Sequence, residues 1–201
     1  MTQTIEEISQ LENLTLELLR LFPRQGEWTE SDYFNLPETN RIVELSERRL
    51  IITPSPTTRH QTILCNLFVS IRNHVLSNNI GKVILSPMDV RLYEGTIRQP
   101  DIVFMSNEHS DRITEKYWGV PDLVIEILSE STVKEDRATK FFEYSKAGIP
   151  EYWIVDPDEK TIEVYVLKKE AYMPFGKWTS GETAKSKLLS GFEVGVNEVM
   201  A

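Results

Sequence analysis

The sequence has few of the features that mark secreted or membrane-embedded proteins. It contains one cysteine, Cys65, so no disulfide can form within the chain. Cys65 lies in HQTILCNLFVSI, among apolar residues at helical spacing, and we expect a buried, unreactive thiol. No apolar run is long enough to span a bilayer, and the acidic start MTQTIEEISQ does not resemble a signal peptide. We therefore expect a cytoplasmic protein that does not bind a membrane.

Positive charge is also scarce. The 201 residues include 22 Lys and Arg against 31 Asp and Glu, which gives a formal net charge of −9. Sequence-independent binding to nucleic acid or anionic lipid depends on many Lys and Arg contacts, so this balance argues against general adhesion to either. A local basic groove remains compatible with it. The hydrophobic content of 40% is that of an ordinary globular protein.

The chain divides into a short N-terminal arm and one domain. Residues 4 to 22 carry apolar side chains close to three-and-four spacing, and Pro23 follows, which predicts an amphipathic helix. We predict a helical arm over residues 1–28 and a single domain over residues 29–201. Packing of the arm on the domain and pairing with a second copy, to give a homodimer, both remain open.

The order of local patterns predicts the fold class. RIVELSERRLIITPSP reads as two short strands or one bent strand, and a helix capped by Thr57 or Thr58 follows to about Asn78. Three strand-like segments, a second helix ending before Gly148, and a hairpin around residues 156–160 complete the pattern. This order predicts an α/β (α+β) fold with a mixed sheet flanked by helices.

An acid stands in the middle of the most apolar of these strands, VPDLVIEILSEST. Alternation along a strand places Glu126 on one face with Val124 and Leu128. Burial costs an isolated ionised carboxylate roughly several kcal/mol of solvation. Proteins avoid this cost unless a cation, a metal or hydrogen bonds compensate it. A solvated position on an open sheet face and a buried pair with an arginine are the alternative interpretations.

The preceding strand, RQPDIVFM, supplies a second acid. Pro100 requires an extended start, so Asp101 lies at the mouth of the strand, where its side chain can reach a cleft. Asp101 and Glu126 could converge on one Mg²⁺, or on Mn²⁺ as a substitute, because hard cations prefer oxygen ligands. Asp122 lies roughly 13 Å from Glu126 along the strand, too far to share the ion, and we assign it a structural role.

A metal-assisted hydrolysis of a phosphodiester also needs a positive group near the phosphate. Asp136, Lys140 and Tyr144 fall at i, i+4 and i+8 on one face of the second helix, from which Lys140 could reach back over the sheet. The alternative is that KEDRATK is a solvated helix start with a local ion pair.

Several motifs in order resemble one family. RQPDIVFM, VPDLVIEILSEST, the spacing to Lys140 and Tyr144, AGIPEYWIVDP and the upstream VELSERRLIITPSPTTRHQTI are similar to the Uma-two (Uma2) family of the restriction-endonuclease-like PD-(D/E)XK superfamily. The resemblance covers about residues 30 to 168. It implies a restriction-endonuclease-like fold in which Asp101 and Glu126 bind metal and Lys140 has migrated from the strand to the helix.

The resemblance also implies secondary site candidates. Glu44 matches an acid of the entry strand and His60 a histidine at the start of the first helix, and Tyr144 accompanies Lys140. The sequence departs from the family pattern at Arg48, where a turn glycine is usual, and at Glu130, where a proline is usual. Both changes concern turns.

Two hypotheses follow. The first is a Mg²⁺-dependent endonuclease that hydrolyses phosphodiester bonds of nucleic acid, with DNA as the expected substrate. The second is a catalytically silent nuclease fold that serves as a binding or assembly module. The net charge of −9, the displacement of Lys140 from the strand and the leucine-rich N-terminal arm favour it.

Overall fold

A computed structural model describes residues 21–201 of the chain. The helix predicted over residues 4 to 22 therefore lies almost entirely outside the described residues. Residues 21–29 form turns and extended chain, and Trp28 is buried. Backbone hydrogen bonds join Gly26 N and Trp28 N to the Arg48 carbonyl, so this segment is attached to the domain before the first described helix begins.

The described residues form four α-helices and twelve strands. The helices are α1 (Glu30–Phe34), α2 (Thr58–Asn78), α3 (Lys140–Ala147) and α4 (Val196–Met200). The strands are β1 (Ile42–Ser46), β2 (Arg49–Thr53), β3 (Gly81–Leu85), β4 (Val90–Tyr93), β5 (Thr96–Arg98), β6 (Ile102–Ser106), β7 (Leu123–Ile127), β8 (Glu151–Asp156), β9 (Thr161–Lys168), β10 (Ala171–Trp178), β11 (Thr183–Lys185) and β12 (Glu193–Gly195).

The larger sheet has the strand order β10-β9-β8-β7-β6-β3 and is mixed, since β7 and β8 run parallel while its other pairs are antiparallel. One face of β7, with Leu123 and Ile125, packs under α2. The other face, with Val124, packs with Tyr144 of α3. Because helices cover both faces, the strand reads as a continuous apolar run. The predicted fold class, a mixed sheet flanked by helices, is confirmed.

A second sheet, of order β2-β1-β5-β4, differs from the single sheet that the sequence suggests. Its β1–β2 hairpin turns through Glu47 and Arg48, whose φ angles are 45° and 63°. Left-handed backbone explains why glycine would suit this position, and Arg48 adopts it at some cost in strain. Hydrogen bonds from Arg48 N to the Gly95 carbonyl and from Gly26 N to the Arg48 carbonyl hold the turn.

The two faces of the second sheet differ in polarity. One face contributes Leu45 and Ile97 to an apolar cluster with Trp28 and Tyr33. The opposite face, directed toward α3, is polar and buried, with Glu44, Ser46, Thr96 and Arg98 each at most 6% exposed. A polar layer of this kind requires internal partners for its charges.

Local signals set the ends of the long helices as predicted. The Thr57 side chain accepts a hydrogen bond from His60 N at 3.2 Å and caps α2, and Gly148, in left-handed conformation, ends α3. The prediction for Cys65 is wrong, because its thiol is exposed. The inward positions of α2 are Ile63, Leu64, Leu67, Ile71 and Val75, and Cys65 points away from them. Within residues 21–201 no helix combines the length and apolar character needed to cross a membrane.

Candidate metal and nuclease site

The two predicted metal ligands lie at the junction of the two sheets. The link Gln99-Pro100-Asp101 leads from β5 of the smaller sheet into β6 of the larger one. The β6–β7 ladder pairs Ile102 with Ile125, and one further step places Asp101 opposite Glu126. Directly opposed residues of an antiparallel pair share a face. Both side chains line a cleft of about 720 Å³.

Asp101 is held by contacts from two elements. Its Oδ2 accepts a hydrogen bond from Ile127 N at 2.7 Å and lies 3.2 Å from Nε2 of His60. The Thr57 cap places His60 in the first turn of α2, facing the cleft. Burial lowers the pKa of His60, but the hydrogen bond and negative charge of Asp101 outweigh it, so the pKa is raised. His60 Nδ1 is buried and has no partner among the described residues.

Glu126 is 3% exposed, and side chains of α3 contact its carboxylate. Its Oε1 accepts a hydrogen bond from the Tyr144 hydroxyl at 2.5 Å and lies 3.0 Å from Nζ of Lys140. The sequence analysis assigns the compensation of this charge to a metal ion. In the structure a lysine and a tyrosine already compensate part of it.

Lys140 is buried and lies among three carboxylates. Its Nζ is 3.0 Å from Asp136 Oδ1, 3.0 Å from Glu126 Oε1 and 3.8 Å from Glu44 Oε1. A π-helical turn, Glu135–Thr139, precedes α3 and carries Asp136 into the same layer. Of the predicted helical row, Lys140 and Tyr144 contact Glu126, and Asp136 contacts Lys140. All three side chains are buried, so the row is not a solvated helix start.

The residue that sequence reasoning missed is Arg98, whose side chain is 0% exposed. Its guanidinium contacts Glu143 at 2.6 Å, Glu135 at 2.7 Å and Glu44 at 3.0 Å. Glu44 also accepts a hydrogen bond from Gln99 N at 2.8 Å. Arg98 thus ties β1 and β5 to the helix that carries Lys140. The only sequence signal for it is its place just before the Pro-Asp motif.

The cleft and its polar layer carry an excess of negative charge. Six carboxylates face two basic side chains, Lys140 and Arg98, and the half-buried His60; the six are those of Glu44, Asp101, Glu126, Glu135, Asp136 and Glu143. Burial and the neighbouring acids raise the pKa of Glu126 well above its usual range, although Lys140 acts in the opposite direction. Burial lowers the pKa of Lys140, but the facing carboxylates outweigh it and raise that pKa.

A divalent cation fits this donor set chemically. Asp101 Oδ1 and Glu126 Oε2 make no hydrogen bond to other described residues, so each carboxylate retains an oxygen for a ligand. Residues 21–201 contain no group of three or more His, Cys, Asp or Glu side chains placed to hold a metal. Two carboxylates are enough for Mg²⁺, because it commonly binds through one or two carboxylates and keeps several waters.

The Uma2 family model, described as "Putative restriction endonuclease", matches residues 30–197. The chain belongs to the Uma2 family. A crystal structure described as a "putative nuclease belonging to DUF820" from Anabaena variabilis matches this Uma2 chain with a TM-score of 0.71 and 22% identity. The match covers 86% of this chain and 97% of the other, and it shows a shared fold. A comparison with curated proteins found no match.

Proposed function

We propose that this Uma2 protein is a divalent-metal-dependent nuclease that hydrolyses phosphodiester bonds of DNA. The observation that carries the proposal is the opposition of Asp101 and Glu126 across two strands, at the wall of an open cleft, with the Lys140 ammonium 3.0 Å from Glu126. The family description, "Putative restriction endonuclease", supports DNA as the substrate.

Asp101 and Glu126 would hold the cation, Mg²⁺ or Mn²⁺ as its substitute. When bound, it would lower the pKa of a water and polarise the scissile phosphate. Charge supports this assignment, since a cation at these two carboxylates would offset the negative excess of the cleft.

The other residues would position these groups. The Tyr144 hydroxyl and Lys140 fix one oxygen of Glu126, while Ile127 N and His60 fix one oxygen of Asp101. Lys140 lines the cleft, so its ammonium would also supply positive charge to the phosphate as negative charge develops on it. Glu44 lies near enough to Lys140 to orient it.

A cleavage assay with a matched pair of variants tests the proposal. We expect nicking or linearisation of plasmid DNA in Mg²⁺ or Mn²⁺ and none in a chelator. Asp101→Asn should abolish it. Asp122→Asn is the control, because Asp122 also follows a proline, and it should leave cleavage intact. The Asp122 carboxylate lies at the other end of the β6–β7 ladder, where it accepts a hydrogen bond from Ser106 N and contacts His109. Equal activity of wild type and Asp101→Asn would contradict the proposed site.

The second candidate, a silent binding or assembly module, is favoured by the contacts of Lys140, which already compensate Glu126 in part. Calorimetry separates the two functions. Heat from Mn²⁺ binding that disappears in Asp101→Asn supports the nuclease, whereas no ion binding at neutral pH supports the module. Light scattering addresses the proposed homodimer, since a monomer would exclude pairing of two sites.

A further inference from the structure

A second concavity opens beside the nuclease cleft. We call it the aromatic groove; it has a volume of about 460 Å³ and is lined in part by Tyr33, Phe34, Leu36 and Lys116. The groove and the cleft adjoin, because both are lined by Asn40, Ile42, Pro87 and Gln99. Its volume lies within the range of about 300–1,000 Å³ that is typical of small-molecule sites.

The groove presents an aromatic ring next to a cation. Phe34 stacks on Tyr117 with ring centroids 5.8 Å apart and an angle of 24° between the planes. Tyr117 does not line the groove, so it supports Phe34 from outside. Lys116 does line it and holds its Nζ 4.0 Å from the centre of the Phe34 ring. An aromatic face beside an exposed ammonium is the combination with which proteins bind unpaired bases and the phosphates next to them.

The charged side chains of the groove are less repulsive to a nucleic-acid strand than those of the cleft. Its one half-buried acid, Asp89, is engaged by the Tyr33 hydroxyl at 2.7 Å and by Gln99 Nε2 at 2.8 Å. Lys116 and Arg41 are exposed on its walls, against the exposed Glu38. In the groove two exposed basic side chains therefore balance two acids, whereas the lining of the cleft contains mainly carboxylates.

We propose that the aromatic groove binds an unpaired base of a nucleic-acid strand whose neighbouring phosphate enters the nuclease cleft. The base stacks on Phe34, and Lys116 moves from the ring to the flanking phosphate. This inference rests on the proposed function and narrows it, because the substrate is then single-stranded or locally unpaired at the site of cleavage.

Binding of a short oligodeoxynucleotide that contains 2-aminopurine tests the inference, because the emission of this base falls when it stacks. We expect wild type to quench the 2-aminopurine emission of the single strand in a chelator, where the proposed nuclease does not cleave its substrate. Phe34→Leu should abolish the quenching and weaken single-strand binding about tenfold. Phe34→Tyr keeps the ring and should behave as wild type. Phe175→Leu, at an exposed phenylalanine on β10 outside both concavities, is the matched control and should have no effect.

Each other outcome contradicts the inference in a recognisable way. Unchanged single-strand binding and quenching by Phe34→Leu would overturn the stacking site while leaving cleavage, and thus the proposed function, intact. An equal loss of binding to single-stranded and duplex DNA would mean that Phe34 contacts the backbone of the DNA and does not stack on a base. A wild-type protein that neither binds nor cleaves any DNA would overturn the proposed function together with this inference.

Discussion

Two glutamates lie in neighbouring parallel strands of the larger sheet and are equally inaccessible, but the surroundings of their carboxylates differ. Glu126 of β7 is 3% exposed and Glu151 of β8 is 1% exposed. Glu126 faces α3 and the cleft, whereas Glu151 accepts hydrogen bonds on the side of the C-terminal segment. Their sequence contexts, LVIEI and EYWIVD, are both strand-like runs with one acid inside or at the start.

Glu151 is fully satisfied by hydrogen bonds. It accepts from Trp153 Nε1 at 2.7 Å, Ser186 Oγ at 2.6 Å, and the backbone N–H groups of Lys187 and Leu188 at 2.8 Å each. Glu126 has contacts at one oxygen and lies among further acids. Burial of an acid therefore does not by itself identify a site. The informative difference is an oxygen left free toward a cleft.

The largest effect on the free energy of unfolding should come from removing the Lys140 ammonium, which compensates the charge of Glu126. Lys140→Met leaves Glu126, Asp136 and Glu44 without their shared ammonium. Loss of one partner of a buried ion pair costs about 3–5 kcal/mol, and we expect the free energy of unfolding in urea to fall by that amount. Lys146→Met, on the same helix but in an exposed pair with Glu47, is the control and should change it little. Similar effects of both variants would mean that the buried Lys140 cluster contributes no more to the free energy of unfolding than an exposed ion pair does.

Glu126→Gln should lower the rate of cleavage and leave the free energy of unfolding almost unchanged. We expect the rate of metal-dependent cleavage to fall on the order of 10²–10³-fold or more, since a ligand and its charge are lost where the transition state is stabilised. The free energy of unfolding should change by less than about 1 kcal/mol, because Lys140 keeps Asp136 and one source of repulsion is removed. A variant that unfolds but still cleaves when folded would assign Glu126 a structural role.

Glu151→Gln should give the reverse result. The amide leaves part of a set of four donors unsatisfied, and we expect a loss of about 2–3 kcal/mol in the free energy of unfolding. Cleavage per folded molecule should equal that of wild type, because Glu151 does not line the cleft. Loss of cleavage in the fully folded variant would show that the two acids are coupled through the sheet.

Sequence alone predicted the elements whose signals are local. Thr57 caps α2, Gly148 ends α3, and the apolar run of β7 forms a strand buried on both faces. The sequence does not predict strand β5, which has only three residues, nor the division into two sheets, which depends on the pairing of β5 with β1 about fifty positions away. Pairing across such a distance leaves no periodic pattern in the chain.

The same distinction applies to the site. Asp101, Glu126 and Lys140 are predictable from the sequence because each breaks a local pattern or falls at helical spacing. The Arg98 network could not be selected in this way, since its partners Glu135, Glu143 and Glu44 lie 37, 45 and 54 positions away. Glu151 carried no distinguishing signal either, because its four donors come mostly from residues 186–188.

The smallest expected effect concerns a third acid, Glu163 of β9, which shares the α3 face of the sheet with Glu126. Burial raises the pKa of Glu163, but Arg137, Tyr165 and Lys177 outweigh it and lower the pKa to about 2. An unfolded glutamate has a pKa of about 4.3, so the stabilisation is fully present above that pH and is lost as the pH falls toward 2. Glu163→Gln should therefore be less stable than wild type at neutral pH, by on the order of 1 kcal/mol for partly exposed pairs.

Unfolding in urea at a series of pH values measures this difference. The gap between wild type and Glu163→Gln should narrow as the pH falls from about 4.3 and should close near 2. Glu170→Gln, at an exposed turn, is the control and should follow wild type at every pH. A gap that does not vary with pH would mean that Glu163 contributes through packing and neutral hydrogen bonds. The charge on this face would then matter at the cleft, where Glu126 lies, and not at the pairs that Glu163 makes.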